Sequence, residues 1–254
     1  MSAPTFDLSG RRALVTGASR GIGRAIARGL AAAGADVLCV ARSADALKET
    51  VTDAPVGSDR MDSFAADLRS EETIAQAIDT AVQGMGGLDI LVNNAADDHD
   101  SSVVDTDFEV WRRVVQLNLD SCFLTCRAAA PHLLASEHGK VINVGSVLSH
   151  VAVRDNAAYI SAKSGLAGLT RGLSLEWATK GVQVNLLCPG FIKTEMTQAL
   201  WETEAGAAWV TNRTPMRRWG EPEDLVGPAV FLASSASDFM TGQSLVIDGG
   251  WTVH

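Results

Sequence analysis

Tyr159 and Lys163 are the two residues of this chain whose types and spacing most directly suggest chemistry. They lie in residues 154–165 (RDNAAYISAKSG), and Tyr159 is the only tyrosine in the 254-residue chain. Residues four positions apart lie on the same side of an α-helix. The pair is therefore either a packed aromatic beside an unrelated surface charge, or a proton donor whose pKa is set by its neighbour.

The second interpretation carries an electrostatic expectation. A free tyrosine loses its proton near pH ~10. An ammonium group about 4 Å from the phenol contributes on the order of 4 kcal/mol at an effective dielectric constant of about 20, or roughly three pH units. We therefore expect Lys163 to lower the pKa of Tyr159 towards about 7, where a general acid works best.

A glycine-rich segment near the N-terminus indicates a nucleotide site. Gly17, Gly21 and Gly23 stand between an apolar run and an alanine-rich helical pattern. Glycines in a strand-to-helix turn let the backbone approach a pyrophosphate, and the helix N-terminus adds positive potential. The spacing is G-x-x-x-G-x-G instead of G-x-G-x-x-G, so the prediction depends on the strand–turn–helix context.

Two arginines indicate which dinucleotide the site takes. An acidic residue after the second strand is typical of NAD sites, because it accepts the ribose hydroxyls. This chain has Ala41 and Arg42 at that place, and Arg20 lies within the glycine turn. The guanidinium fork matches phosphate geometry, so we predict that NADP(H) is preferred over NAD(H). The alternative is that both arginines are solvated surface charges.

The elements that must position these residues alternate along the chain. Seven short apolar runs are separated by helical patterns, and no linker or repeat interrupts them. We predict an α/β fold with a single doubly wound (Rossmann-like) domain over residues 1–254, whose seven-stranded, mostly parallel sheet has helices on both faces. Ligands of such sheets bind beyond the carboxyl ends of the strands. The segments that fall there are residues 16–23, 41–42, 67, 93–96, 146 and 189–190.

These motifs, taken in order, resemble the short-chain dehydrogenase/reductase family. They are TGASRGIG (16–23), NNAA (93–96), LNLDSCF (117–123), INVGS (142–146), YISAK (159–163), CPGFIKT (188–194) and the closing residues 231–250. The resemblance extends from about Leu8 to Gly250. One departure is Ala96, where the family usually has glycine, and its methyl group is expected to shift the following loop (ADDHD).

The resemblance implies a catalytic tetrad of Asn118, Ser146, Tyr159 and Lys163. In it Tyr159 transfers a proton, Ser146 orients the substrate oxygen, Lys163 also binds the nicotinamide ribose and Asn118 fixes a water. Together with the glycine turn and the two arginines it gives a cofactor-binding set without metal ligands: Gly17, Ser19, Arg20, Gly21, Ile22, Gly23, Arg42, Asp67, Leu68, Asn94, Ala95, Tyr159, Lys163, Pro189, Gly190, Ile192 and Thr194.

The implied reaction is the NADP(H)-dependent interconversion of a ketone and a secondary alcohol by hydride transfer. Residues 174–185 and 218–251 look most similar to the gluconate 5-dehydrogenase-like branch, whose substrates are sugar acids and polyols. The 3-oxoacyl-[acyl-carrier-protein] reductases come next, but an acidic carrier needs a basic patch, and Lys140, Arg171 and Lys180 are scattered candidates. A non-catalytic NADP-sensing protein is a third alternative, which the presence of all four tetrad residues disfavours.

Loops must hold the substrate, because no second domain is predicted. The candidates are the loop after the fourth strand, residues 147–156, and a substrate lid at about residues 190–218. Trp201 and Trp209 are either the apolar face of that lid or simple packing. His99 and His150 are expected to be solvated loop residues.

Composition narrows the partners and the compartment. The net charge of −9 argues against nucleic acid or an anionic membrane surface as a partner. The N-terminal segment lacks the apolar core of a secretory signal, and we expect the four cysteines to be reduced thiols of a cytoplasmic protein. Apolar residues beyond one stripe in residues 121–134 and 157–178 predict burial against another subunit, and the resemblance implies a homotetramer or homodimer.

Overall fold

Seven apolar segments pair into one parallel sheet, as the computed structural model of residues 6–253 shows. The strands are β1 (Arg12–Thr16), β2 (Asp36–Ala41), β3 (Met61–Ala65), β4 (Ile90–Asn93), β5 (Lys140–Val144), β6 (Gln183–Pro189) and β7 (Ser244–Ile247), in the order β3-β2-β1-β4-β5-β6-β7. All six neighbouring pairs are parallel. The predicted doubly wound α/β class is confirmed, and residues 1–5 and 254 of the predicted domain lie outside the described residues.

Helices cover both faces of the sheet. They are α1 (Gly21–Ala32), α2 (Ala44–Thr52), α3 (Glu71–Met85), α4 (Phe108–Val115), α5 (Ser121–Ala135), α6 (Ala157–Trp177), α7 (Gln198–Trp201), α8 (Glu204–Arg213) and α9 (Val226–Ala233). Helices α1, α2 and α9 share one buried cluster with the sheet, and α3, α5 and α6 share the other. The central strands are apolar on both faces because each face has its own helical layer.

Local signals in the sequence set several helix ends. The Ser43 hydroxyl accepts a hydrogen bond from the Ala46 amide at 3.3 Å and begins α2, and Ser70 caps α3 in the same way. Gly86 ends α3 in the left-handed conformation with φ of 76°. Each of these residues satisfies backbone groups that the end of a helix leaves without a partner.

One irregular turn interrupts the long helical stretch from Phe108 to Ala135. Between α4 and α5, residues Gln116–Asp120 form a π-helical turn. The extra residue in such a turn displaces the side chains around it, and π-turns often occur at functional sites. Asn118 lies in the middle of this turn.

All four cysteines are free and buried, on both sides of the sheet and within it. Cys39 is in β2, Cys122 and Cys126 are in α5, and Cys188 is in β6. Across residues 6–253, no helix is both long and apolar enough to cross a lipid bilayer.

Candidate active site

A cleft of about 690 Å³ runs along the carboxyl ends of the strands. Every residue of the predicted cofactor-binding set lines it, from the glycine turn after β1 to Thr194 after β6. Ser146, Tyr159 and Lys163 line the same cleft. Asn118 is fully buried and is not among the residues that line the cleft. The structure thus brings the predicted residues other than Asn118 together around one space.

The glycine turn has a backbone that only glycine fits. Gly17 has a φ of 65°, and a Cβ atom there would meet the Ala95 Cα and the Asn94 Nδ2 at 2.8 Å. The Asn94 side chain fastens the turn, because its Nδ2 donates to the Thr16 carbonyl oxygen at 3.0 Å. The first turn of α1 has neither a side-chain cap nor an acidic residue. Its amides and their positive potential are therefore left for an anionic group, which fits a dinucleotide pyrophosphate.

The far end of the cleft is basic. Arg20 and Arg42 are exposed and line it, and Arg69 lines it beside Asp67. Arg69 forms a bidentate pair with the Asp67 carboxylate, with its Nη2 at 2.7 Å from Oδ2. This pair, helped by the charge of Arg42, lowers the pKa of Asp67. Arg69 was not among the predicted site residues. Its position two residues after Asp67 was the sequence signal that could have identified it.

Tyr159 and Lys163 lie on one side of α6, as their spacing predicts. The Lys163 Nζ is 5.5 Å from the centroid of the Tyr159 ring and donates a hydrogen bond to the Val144 carbonyl oxygen at 2.9 Å. Lys163 is 2% exposed, and the bond to Val144 ties its ammonium to the end of β5. The pair is therefore not a surface pair.

The expected lowering of the Tyr159 pKa is wrong for the protein groups alone. Burial raises the pKa of Tyr159 above its ordinary value, the negative charge of Asp98 raises it further, and hydrogen bonding with Ser146 opposes both. Burial also lowers the pKa of Lys163. The simple Coulomb argument fails because it omits the cost of removing both charged forms from water.

Ser146 follows β5 and faces the same space. Ser146 is buried, with 9% of its surface exposed, and its Oγ accepts a hydrogen bond from the Leu148 amide at 3.1 Å. The hydroxyl hydrogen is therefore free to be donated to another oxygen. Behind it, the buried Cys188 Sγ lies 3.6 Å from the His150 Nε2. His150 is exposed, as predicted for a loop residue, and His99 is half-buried.

The side chain of Asn118 connects the π-turn between α4 and α5 with the loop after β4. Its Nδ2 donates to the Val114 carbonyl oxygen at 2.8 Å and to the Asp97 carbonyl oxygen at 2.6 Å. Its Oδ1 is buried and has no hydrogen-bond partner within residues 6–253. An amide oxygen in that state is suited to holding a water molecule.

The loop after β4 is fastened a second time, beside Tyr159. Asn156, which precedes α6, donates from its Nδ2 to the carboxylates of Asp98, at 3.0 Å, and of Asp100. Neither Asp98 nor Asn156 was among the predicted site residues. The only sequence signals for this contact were the length and the acidity of the loop. The contact joins residues more than fifty positions apart, so no local pattern indicates it.

The segment predicted as a substrate lid contains the short helices α7 and α8. Thr194, Met196 and neighbouring residues of this segment line the cleft. The Trp201 Nε1 donates to the Thr194 carbonyl oxygen at 3.1 Å, and Trp209 packs edge-on against Phe191 with ring centroids 5.2 Å apart. Both tryptophans therefore stabilise the segment internally.

Within residues 6–253, no group of three or more His, Cys, Asp or Glu side chains is placed to bind a metal ion.

Comparison with known proteins gives long, full-length matches. The family model described as Enoyl-(Acyl carrier protein) reductase matches residues 17–252. Gluconate 5-dehydrogenase of Gluconobacter oxydans is 38% identical, over 100% of this chain and 99% of that protein. The 2-dehydro-3-deoxy-D-gluconate 5-dehydrogenase of Escherichia coli is 39% identical, over 99% of each chain. A crystal structure of a gluconate 5-dehydrogenase from Burkholderia cenocepacia in complex with NADP and tartrate is 39% identical, covers 98% of each chain and superposes with a TM-score of 0.92.

Proposed function

The chain belongs to the short-chain dehydrogenase/reductase family, and from that premise we propose that it is an NADP(H)-dependent oxidoreductase that interconverts a ketone and a secondary alcohol. Its substrate is a small polyhydroxylated molecule of the sugar-acid or polyol class. The observation that carries this proposal is that Ser146, Tyr159 and Lys163 line the same cleft as the glycine turn. Relatives of similar length that act on gluconate-type substrates support the substrate class.

The residues of the cleft would hold the cofactor. The turn of residues 17–23 would bind the pyrophosphate, Asp67 and Leu68 would contact the adenine, and Lys163 would bind the nicotinamide ribose. When bound, NADP(H) supplies or accepts the hydride. The remaining contacts come from the strand ends and the segment after β6: Asn94, Ala95, Pro189, Gly190, Ile192 and Thr194.

Side chains of the protein carry out the proton transfer. In ketone reduction the Tyr159 hydroxyl donates a proton to the substrate oxygen, and in alcohol oxidation it takes that proton back. The Ser146 hydroxyl donates a hydrogen bond to the same oxygen and orients it. Lys163 holds the tyrosine side of α6 against β5, and Asn118 positions a water that connects Lys163 with solvent.

Replacing Tyr159 with Phe tests the role of the phenol. We expect NADPH-dependent turnover to fall by at least about 10²-fold, because the proton donor is lost. The dissociation constant for NADPH, measured by fluorescence titration, should change little. Ser164→Ala, an exposed position on the same helix, serves as the control. Retained turnover in Tyr159→Phe would overturn the assignment, and an absence of any Tyr159-dependent turnover in the native protein would favour the NADP-sensing alternative.

We propose that Arg20 and Arg42 give the site its preference for NADP(H) over NAD(H). Arg42→Ala should raise the KM for NADPH about tenfold, since a charge-assisted contact to the 2′-phosphate is lost. The KM for NADH should stay nearly constant, because NADH has no such phosphate. The matched control is Arg60→Ala, whose guanidinium pairs with Asp36 away from the cleft. Equal effects on both cofactors would contradict the proposal.

An acyl-carrier protein is a weaker candidate for the substrate. Of the three basic residues that the sequence offers for such a partner, Lys140 is 3% exposed and pairs with Asp238 at 2.7 Å. Only Arg171 and Lys180 remain exposed. A steady-state comparison of 5-keto-D-gluconate with an acetoacetyl thioester separates the two classes, and faster turnover of the thioester would reverse our assignment.

We propose that residues 190–218 act as the substrate lid. The first part of this segment already lines the cleft. The aromatic contact of Trp209 with Phe191 anchors α8, the second helix of the segment. Closure over a bound substrate would exclude water from the reacting carbon.

We propose a homotetramer or homodimer in the cytoplasm. Phe123 on α5 and Leu175 on α6 are 46% and 82% exposed, which leaves apolar surface for a second subunit. The four free cysteines fit a reducing compartment. A monomeric mass in light scattering would contradict the assembly.

A further inference from the structure

A carboxylate at the basic end of the cleft is held in position by one arginine. Asp67 and Arg69 both line the cleft, in the short connection between β3 and α3. The Arg69 guanidinium donates from Nε to the Asp67 Oδ1 at 3.0 Å and from Nη2 to Oδ2 at 2.7 Å. The Arg69 amide also donates to Oδ1, at 3.1 Å. Three N–H donors of a single residue therefore fix the orientation of this carboxylate.

The backbone of the same connection is fixed by two other elements. The Thr73 hydroxyl, in the first turn of α3, donates to the Asp67 carbonyl oxygen at 2.5 Å. The Gln116 Nε2, at the start of the π-turn, donates to the Arg69 carbonyl oxygen at 3.2 Å. Both the main chain and the side chains of the pair are therefore held relative to the cleft.

Stability does not account for this arrangement. The side chains of Arg69 and Asp67 are 34% and 41% exposed, and ion pairs at such exposure contribute little to the free energy of unfolding. A second exposed pair close by, Arg127 with Glu71, joins α5 to α3, and neither of its residues lines the cleft. What distinguishes the Asp67–Arg69 pair is thus its place in the cleft.

The bonds to Arg69 leave the carboxylate with little capacity for a further partner. An ionised carboxylate accepts about four hydrogen bonds, two at each oxygen. The Asp67 Oδ1 already receives two donors, and Oδ2 receives Nη2 together with a longer contact of 3.2 Å from Nε. Hydrogen bonding with Arg69 also lowers the pKa of Asp67, so the group is ionised at neutral pH and cannot itself donate. It therefore offers a ligand one acceptor position, on Oδ2.

We infer that Arg69 is a positioning residue, which holds the Asp67 carboxylate so that it selects a purine with a 6-amino group over one with a 6-oxo group. The inference rests on the proposed function, in which Asp67 contacts the adenine. A 6-amino group supplies the donor that Oδ2 can accept, whereas a 6-oxo group places a second acceptor against it. A carboxylate free to rotate could turn to the ring N–H of a 6-oxo purine instead, so the selection depends on Arg69.

A matched pair of cofactors tests this inference. NADPH and reduced nicotinamide hypoxanthine dinucleotide phosphate differ only in the purine, which has a 6-amino group in the first and a 6-oxo group in the second. By fluorescence titration, we expect the native protein to bind NADPH roughly tenfold or more tightly than the hypoxanthine compound, since a bond to a charged acceptor is at stake. Arg69→Ala should reduce this ratio to about twofold or less, because the carboxylate is no longer held.

Arg69→Lys separates the positioning role from the charge of Arg69. Loss of a positive charge weakens the binding of both compounds alike, because both are polyanions, and so it leaves their ratio unchanged. Lysine keeps the charge but lacks the planar fork, so Arg69→Lys should also lose the ratio. If both variants keep the native ratio, Arg69 acts only through its charge and the inference is overturned.

Two controls exclude a structural cause. Arg127→Ala removes an exposed arginine outside the cleft and should change neither dissociation constant. In Arg69→Ala, kcat at saturating NADPH should stay within about twofold of the native value, because the purine is at the opposite end of the cofactor from the nicotinamide. A large fall in this kcat would indicate structural damage and count against the positioning role.

Binding is measured without turnover, which keeps the inference distinct from the proposed function. Equal binding of both compounds by the native protein would overturn the inference and leave the proposed reaction standing. A preference for NADPH that Arg69→Ala and Arg69→Lys both abolish, without any turnover that depends on Tyr159, would support the inference and count against the proposed reaction. Binding of neither compound would overturn both.

Discussion

The phenol of Tyr159 is surrounded by groups that keep it protonated. Burial and the Asp98 charge both raise its pKa, and the nearest ammonium is engaged with the Val144 carbonyl oxygen. For the proposed role of Tyr159 in ketone reduction this is favourable, because the phenol keeps its proton at neutral pH. In the proposed alcohol oxidation the same groups oppose formation of the phenolate that would accept a proton.

This asymmetry predicts the pH dependence of the two directions. Because the pKa of Tyr159 is raised, kcat for alcohol oxidation should increase steadily with pH from 7 to 9, whereas reduction should show no loss over this range. Removing the Asp98 charge makes the phenolate easier to form. Asp98→Asn should therefore move the rising limb of the oxidation profile to lower pH, as measured by initial rates in constant-ionic-strength buffers. An unshifted limb would show that the charge of Asp98 is not felt by the phenol.

The proposed cofactor binding by the turn of residues 17–23, between β1 and α1, depends on the backbone conformation of that turn. Gly17 needs a left-handed conformation and has no room for a side chain, because Ala95 and Asn94 lie against it. The Asn94 amide in turn fixes the carbonyl groups of the turn. The turn, the loop after β4 and the start of α1 are thus one structural unit.

Two glycine substitutions test that description. Gly17→Ala should lower the free energy of unfolding by about 1–2 kcal/mol, since alanine is strained at positive φ. It should also weaken NADPH binding, because the turn can no longer approach the phosphates. Gly84→Ala, on an exposed part of α3 with no atom within 4 Å of the new methyl group, should raise the free energy of unfolding by about 0.5–1 kcal/mol. Urea unfolding and fluorescence titration measure both; equal effects of the two substitutions would contradict the assignment.

The elements that could be predicted from sequence are those with local signals. The seven strands follow from short, mostly apolar runs, the start of α2 and both ends of α3 follow from Ser43, Ser70 and Gly86, and the cleft residues follow from short motifs after the strands. The π-turn at Asn118 could not be predicted, because it depends on how α4 and α5 pack. The Asp98–Asn156 contact and the raised pKa of Tyr159 likewise depend on burial, which a sequence pattern does not contain.

For the whole molecule, one buried carboxylate connects three elements at the end of the sheet opposite the cleft. Asp89 is 2% exposed and accepts bonds from the Arg12 Nε and Nη2 at 2.8 Å and from the Ser136 hydroxyl. Although burial alone would raise its pKa, these hydrogen bonds hold the pKa below its ordinary value. The interaction ties the start of β1 to β4 and to the end of α5.

Removing this charge should destabilise the fold in a pH-dependent way. Asp89→Asn should lower the free energy of unfolding by about 2 kcal/mol at neutral pH, because the bonds to a charged partner are lost. The pKa of Asp89 is lower in the folded than in the unfolded chain, so its contribution is complete above the unfolded value of about 3.9 and is lost as pH falls through the folded value.

The difference between the native protein and Asp89→Asn should accordingly be constant between pH 5 and 8 and shrink below about pH 4. Thermal or urea unfolding over this pH range measures it. Asp36→Asn is the control, because the exposed Asp36–Arg60 pair at 3.3 Å should contribute less than about 1 kcal/mol. A difference that persists unchanged in acid would mean that Asp89 does not act through its charge.

The four thiols have a consequence for how the chain can be observed. Burial raises the pKa of Cys39 to about 12 and that of Cys188 to about 11, and it also raises the pKa of Cys122 and Cys126. Alkylating reagents react with the thiolate, so these four cysteines should not react while the helices and the sheet remain packed around them. The alkylation rate of each cysteine therefore reports local unfolding around that residue. The order in which the cysteines are labelled would give the order in which these regions unfold.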